Sequence, residues 1–392
     1  MLKTYKFRLY PNKLQEKELL NTLNLCRITY NLLLSELNKE ARPNRVLLQN
    51  RLPLLNKKEA QLNKVYSKTL QYEAYRLFSN LKSLAMLKKR GKKVGKLRFK
   101  QEGSFKTFTY NQSGFRLKTL PQRHHRLALS KIGDIPIRIH RDIEGVIKQV
   151  TIKHACSKKW FALMAVEYPN KELARLSKPN VGIDLGLANL IYDSDGNIIS
   201  HPKYLEKSLV RLMVAQQKLC RKKKGSSNQV KQRIKVAKIY ERILNQRDDY
   251  LHKASREYVN NYGLIAIENL NITKIITKSH NARNIMDASW RKFISMLEYK
   301  AESAGVQIKR VDARGTSQIC SSCGKIVPKK LCTRTHKCDC GLEINRDYNA
   351  AKNILARALG QELSDFKPAE SEPLSLRHVR SEKQEICNVS CK

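Results

Sequence analysis

Apolar and cationic residues alternate where the chain begins. In LKTYKFRL, residues 2–9, Tyr5, Phe7 and Leu9 point one way and Lys6 and Arg8 the other. Period-two patterning predicts a half-buried strand with a basic outer face. Pro11 and Asn12 break it, and Asn12 is placed to cap the following helix. From there to about Lys39 leucines and aromatics recur at helical spacing: Leu19, Leu20, Leu23, Tyr30, Leu33 and Leu34. Pro43 and Pro53 punctuate an expected loop, and a second helical stretch is expected over roughly 57–89. The glycines of KKRGKKVGKLRFK, residues 88–100, deny it a stable helix, and its charge density suits phosphate contact. Phe105, Phe108, Tyr110 and Phe115 interleave with polar and basic residues, a pattern compatible with base stacking or with ordinary strands. Several short alternating strands over 127–168 predict a small β-barrel.

The pattern changes beyond a linker expected at 171–180. A strand around Asp184 is followed by one at 189–192, an Asp195-Gly196 turn and a short third strand at 197–200. Long helical stretches at about 203–223 and 228–261 are joined by the basic RKKKGSS loop. A strand at 264–268, a helix near 289–304 and a strand at 306–312 complete an alternating α/β domain. Residues 361–392 are polar and without periodicity, which predicts a disordered tail.

Charge adds what patterning cannot. With 77 Lys and Arg against 34 Asp and Glu, the net charge is +43, spread along most of the 392 residues. Self-repulsion of that size points to a long polyanionic partner, hence nucleic acid. No apolar run reaches membrane-spanning length and the basic N-terminus lacks an apolar signal core, so a cytoplasmic, nucleoid-associated protein with no membrane partner is expected.

Three acids sit where acids are costly. Asp184 interrupts the apolar strand of NVGIDLGLANL, Glu268 ends the apolar strand LIAIE, and Asp347 lies at the start of a helix whose apolar face is Ala350, Ala351, Ile354, Leu355 and Ala358. A buried carboxylate needs a cation or strong donors, and three together would repel one another unless a cation sat among them. Magnesium, one or two ions, is the hard cation that carboxylates hold for phosphodiester cleavage. The alternative is that each acid pairs separately with a Lys or Arg.

Between the second and third acids lies CSSCG, then CDCG. Cys320 and Cys323, with Cys338 and Cys340, have the paired spacing of a tetrahedral structural zinc site. The CxC pair is tight, which leaves Cys332 or His336 open as a replacement ligand. Cys26, Cys156, Cys220, Cys387 and Cys391 show no pairing pattern and are expected to be buried or tail thiols.

GIDLGLANL, IAIENLNI and NRDYNAA, with a four-cysteine insertion before the last, resemble the three RuvC segments of TnpB, a family of transposon-encoded RNA-guided DNA endonucleases related to compact type V CRISPR effectors. The resemblance spans about residues 1–360. It implies a multidomain α/β protein: a wedge-like β-barrel (1–12 and 101–170), an inserted helical recognition domain (13–100), an RNase H-like RuvC nuclease domain (181–315 and 345–360) and a zinc-binding target-nucleic-acid insertion (316–344). It further implies catalysis by Asp184, Glu268 and Asp347 with two magnesium ions, a guide RNA, and double-stranded target DNA with a short flanking motif. A transposase, recombinase or resolvase using the same acids without a guide, a guided DNA-binding repressor, and a small CRISPR effector are the competing expectations.

Overall fold

The structure, a computed structural model, describes residues 2–39, 44–119, 125–168, 178–330 and 333–360. The expected linker up to residue 177, the expected tail at 361–392, and Pro43, Cys332, Cys387 and Cys391 lie outside the described residues. The chain divides into two compact units, one of residues 1–173 with 204–247, the other of residues 174–203 with 248–392. Among the described residues no helix is long and apolar enough to cross a membrane.

In the first unit, strand β1 (Leu2–Leu9) buries Phe7 and Leu9 as its alternation requires. Asn12 then caps α1 (Lys13–Leu37) by a capping box: Asn12 Oδ1 accepts from Gln15 N, and Gln15 Oε1 accepts from Asn12 N. The expected helix over 57–89 is instead broken. Short helices α2 (Arg45–Asn50) and α3 (Leu52–Lys58) and a 3-10 turn (Ala60–Lys64) precede α4 (Ser67–Lys89). Pro53 begins α3 rather than punctuating a loop, because its missing N–H costs nothing in a first turn. The basic segment after α4 forms no helix or strand, and its end is tied to α1 where Arg27 and Asn31 donate to the Lys100 carbonyl.

Strands β2 (Thr107–Asn111), β3 (Phe115–Lys118), β4 (Arg126–Leu129), β5 (Gly133–Arg138), β6 (Val146–His154) and β7 (Trp160–Glu167) join β1 in an antiparallel sheet of order β2-β6-β7-β1-β5-β4-β3. The sheet curls into a nearly closed barrel, with Tyr110 of edge strand β2 donating to the Ser130 carbonyl just after β4. Phe105, Phe108 and Tyr110 are buried in the core that α1 and α4 share with the sheet, which removes them as base-stacking surfaces. Helix α5 (Tyr204–Cys220) and the first part of α6 (Ser227–Asn261) also belong to this unit and pack through Leu212, Ala215 and Val236. Cys26 is buried as expected, whereas Cys156 and Cys220 are exposed.

The second unit is built on a mixed sheet of order β10-β9-β8-β11-β12. Strands β8 (Asn180–Leu185), β11 (Leu264–Glu268) and β12 (Gln307–Val311) are parallel. Strands β9 (Asn189–Asp193) and β10 (Ile198–Ser200) turn back through Gly196, whose φ of +88° suits the Asp-Gly turn. Short helices α7 (Ile272–Lys278) and α8 (Ala282–Ala288), which patterning did not reveal, lead into α9 (Trp290–Ala304). A β13–β14 hairpin (Thr335–Lys337 and Glu343–Asn345) leads into α10 (Arg346–Leu359).

One acid in the first unit is fully buried. Glu73 on α4 contacts the Arg76 guanidinium at 3.2 Å, yet burial pushes its carboxyl up to about 8, with Arg76 opposing. Folding therefore takes up a proton between the ordinary value of 4.5 and about 8. The stability contributed by the neutral acid is full below that window and is lost as pH rises through it. Glu73→Gln is expected to flatten a slope of up to about 1.4 kcal/mol per pH unit in this window, read by denaturant melts at stepped pH. A variant as pH-sensitive as the parent would contradict this.

Candidate active site and metal centre

Neighbouring strand ends carry the first two acids. Pairing of Ile183 with Ile267 puts Asp184 and Glu268 one step further along parallel strands. The carboxyl ends of parallel strands are where α/β sheets present functional groups. Helix α10 brings the third. A Cβ on Gly182 would lie 2.2 Å from the Ala351 carbonyl oxygen and 2.7 Å from Leu355 N, so only glycine lets the helix backbone rest on β8. Asp347 is the second residue of that helix, inside a first turn capped by Asn345, whose side chain accepts from Asp347 N at 2.8 Å. A carboxylate is favoured there by the helix dipole.

The charges of Glu268 and Asp347 both reach Asp184. Burial holds the Asp184 carboxyl well above the usual carboxylate range, and the charges of Glu268 and then Asp347 push it further; Arg346 opposes them. Burial also raises Glu268, against a hydrogen bond from Thr316 and the charge of Arg357. Asp347 meets Arg346 at 3.1 Å and Arg334 at 3.6 Å. The separate-pairing expectation therefore holds for Asp347 alone: among the described residues no ion pair forms to Asp184 or Glu268. The acids are gathered in one electrostatic neighbourhood but not packed into a closed ligand cluster.

Asp193 illustrates a buried acid satisfied by donors alone. It is 1% exposed and accepts from Asp195 N, Asn197 N, Asn197 Nδ2 and Tyr258 Oη at 2.8–3.1 Å. Its network closes the β9–β10 turn and ties it to α6. Sequence reasoning did not single out Asp193, nor Thr316, whose hydroxyl donates to Glu268 Oε1 at 2.6 Å. It likewise missed Asn349 and Asn353, both fully buried on α10. Asp193, Thr316 and Asn353 stand outside the three acid motifs, and Asn349, though inside NRDYNAA, has neither charge nor ligand spacing to mark it.

The cysteines do form a closed cluster. The Sγ atoms of Cys320, Cys323, Cys338 and Cys340 lie within 4.8 Å of one another, a set able to hold a metal ion. Each pair sits on a tight turn followed by a glycine in the left-handed region, Gly324 at φ +76° and Gly341 at φ +89°. Gly324 N donates to the Cys320 carbonyl and Gly341 N to that of Cys338. Backbone hydrogen bonding from Leu342 favours the thiolate at Cys340, while at its neighbour Cys338, against backbone hydrogen bonding from Cys340, burial and the other sulfurs favour the thiol. His336 is fully buried but stands outside the cluster, its Nδ1 against the Lys329 amine. Both thiols of the tight CxC pair thus reach the centre.

The first unit carries a basic groove of about 790 Å³ between α5 and α6, lined by Lys207, Arg211, Lys218, Lys235, Lys238 and Arg242. Six cations on two facing helices form a surface suited to phosphates.

Three family models match in succession: "Helix-turn-helix domain" over residues 1–44, "Probable transposase" of the OrfB type over 164–278, and "Cas12f1-like, TNB domain" over 290–354. A Streptomyces pristinaespiralis protein assigned as an RNA-guided DNA endonuclease is 32% identical, over 91% of this chain and 89% of its own. InsQ of Escherichia coli K12, with the same assignment, is 30% identical over 96% of this chain and 98% of its own. A cryo-EM structure of the Cas12f1–sgRNA–target DNA complex contains a chain of similar fold, with a TM-score of 0.55 at 16% identity over 90% of this chain and 98% of that one. Length, motif order and fold agree, and the chain belongs to the TnpB family of transposon-encoded RNA-guided DNA endonucleases.

Proposed function

We propose that the protein cuts DNA phosphodiesters at Asp184, Glu268 and Asp347 with two magnesium ions, after a bound guide RNA has paired with target DNA beside a short flanking motif. The observation that carries this reading is geometric: Asp184 and Glu268 stand at the ends of neighbouring parallel strands, and Asp347 opens the helix packed on β8, so the half-buried Asp184 carries the charges of the other two acids. Such a site gains most from divalent cations, because each ion removes a repulsion that the fold otherwise bears. When bound, the ions supply activation of water and stabilisation of the leaving oxygen. The protein's part is to fix the three carboxylates from β8, β11 and α10 and to hold the phosphate near them. Asp184, which feels the charges of both other acids, would hold the ions together with them. In this reading the second unit's sheet is the RNase H-like RuvC core, the barrel is the wedge, residues 13–100 form the recognition helices, and residues 316–344 meet target nucleic acid.

Sequence readout in such a protein is delegated to base pairing, while the protein grips backbone and A-form shape. The net charge of +43 and the α5–α6 groove suit that division of labour and would keep the protein on nucleic acid in the cell. The four thiols match structural zinc: soft, closed, and set on two glycine turns.

Asp184→Ala is expected to lower cleavage by about a thousandfold or more, equivalent to about 4 kcal/mol of transition-state stabilisation, while co-purified RNA and target binding persist. Cleavage of matching DNA by RNA-free protein would remove the guided reading. In metal-free protein the raised Asp184 value means that stability falls as pH climbs above the ordinary 3.8. Asp184→Asn and added magnesium should each restore melting temperature at neutral pH, and a variant no more stable than the parent would count against the shared field. Elemental analysis is expected to find one zinc per chain, lost in Cys320→Ser together with protease resistance over residues 316–344.

A further inference from the structure

We propose that Thr316 is a positioning residue for Glu268, and that Asn349 and Asn353 make its placement depend on metal at the four cysteines. The inference rests on the carboxylate reading above and extends it to residues that carry no charge. Thr316 is 3% exposed, and its hydroxyl lies 2.6 Å from Glu268 Oε1 but 3.3 Å from the Ala313 carbonyl of its own turn. The hydroxyl is thus committed to the strand acid more than to local turn closure. A donor aimed at one carboxylate oxygen fixes the rotamer and leaves the other oxygen to face its neighbours.

Two asparagines one turn apart on α10 fasten the segment that follows. Asn353 Nδ2 donates to the Thr316 carbonyl at 2.8 Å and to the Ile319 carbonyl at 2.7 Å. Asn349 Nδ2 donates to the same Ile319 carbonyl at 2.7 Å, and its Oδ1 accepts from Ser321 N at 2.9 Å. The Ile319 carbonyl therefore spends both lone pairs on α10. All four bonds are buried or nearly so, where water cannot replace them.

Cys320 lies between Ile319 and Ser321, so one of the four thiols sits inside the clamped segment. Asp347 rides on the same helix as the two asparagines, two residues before Asn349. One short segment thereby links three things: Glu268 through Thr316, the helix of Asp347 through Asn349 and Asn353, and the metal centre through Cys320. The four sulfurs would hold a metal ion between them, and bound in that way Cys320 would keep the segment closed. Without the ion no shared partner joins the four sulfurs, the turn at Cys320 loses that anchor, and the bonds that position Thr316 must hold the segment alone.

The test uses full-length protein carrying its co-purified RNA, with Thr316→Val, Thr316→Ala, Thr316→Ser and Glu268→Gln. Two quantities are read: Mn2+ affinity by electron paramagnetic resonance, and the single-turnover cleavage rate set against target-binding Kd. Thr316→Val and Thr316→Ala are expected to weaken Mn2+ binding and slow cleavage by about ten- to a hundredfold, with Kd and zinc content unchanged, and Thr316→Ser to restore both. Stripping zinc, with the chelator then dialysed away, should weaken Mn2+ binding in the parent by a similar factor but add little in Thr316→Ala. Parent-like Mn2+ affinity and cleavage in whichever of the Val and Ala variants retains zinc would overturn the positioning role. A zinc-stripped parent that binds Mn2+ normally would overturn the coupling. Should Glu268→Gln itself cut normally, the carboxylate reading fails, a result distinct from either.

Discussion

A helix backbone can rest on a strand only where the strand gives up its side chain. Gly182 makes that concession, with α10 so close that a single added carbon would overlap the Ala351 carbonyl. The second unit's chemistry depends on this contact. Asp184 follows two residues later on β8, and Asp347 opens the helix that the glycine admits. A helix held further out would separate the two charges and weaken the field that loads Asp184. Packing and electrostatics are here one constraint, since the close approach brings the charge of Asp347 to bear on Asp184.

The cysteine cluster and the proposed carboxylate site make opposite demands. The cysteine centre is complete in the fold: four sulfurs converge on glycine turns that the local sequence dictates. The carboxylates are gathered but held open, Asp347 leaning on Arg346 and Arg334 while Glu268 takes a donor from Thr316. Closed coordination suits a structural ion, and an open set of acids suits ions that must also touch a substrate. The hydrogen bonds from Asn349 and Asn353 join the two regions, so rigidity in one is available to the other.

Charge has a different scale in each unit. In the first, cations line a groove between two helices, and aromatic residues interleaved with basic ones fill the barrel core rather than its surface. Phe108 and Tyr110 show why patterning alone misleads: the alternation of a barrel strand and that of a base-stacking platform are identical until the closing strands decide which face is inside. The broken helix between 57 and 67 shows the same limit, since apolar spacing continues through residues whose backbone turns away.

The linear sequence by itself determined the strands around Asp184 and Glu268, the start of α10 at Asp347, the paired cysteine spacing and the excess of positive charge. These are local consequences of periodicity, composition and ligand spacing. Only the tertiary structure decided that Asp193 is a buried acid satisfied by donors while Asp184 is not. It alone joined Thr316 to Glu268 across 48 positions and both asparagines to the turn at Cys320. Hydrogen bonds between residues distant along the chain leave no periodic trace. They exist because strand, helix and turn arrive at the same place, and no single segment carries that information.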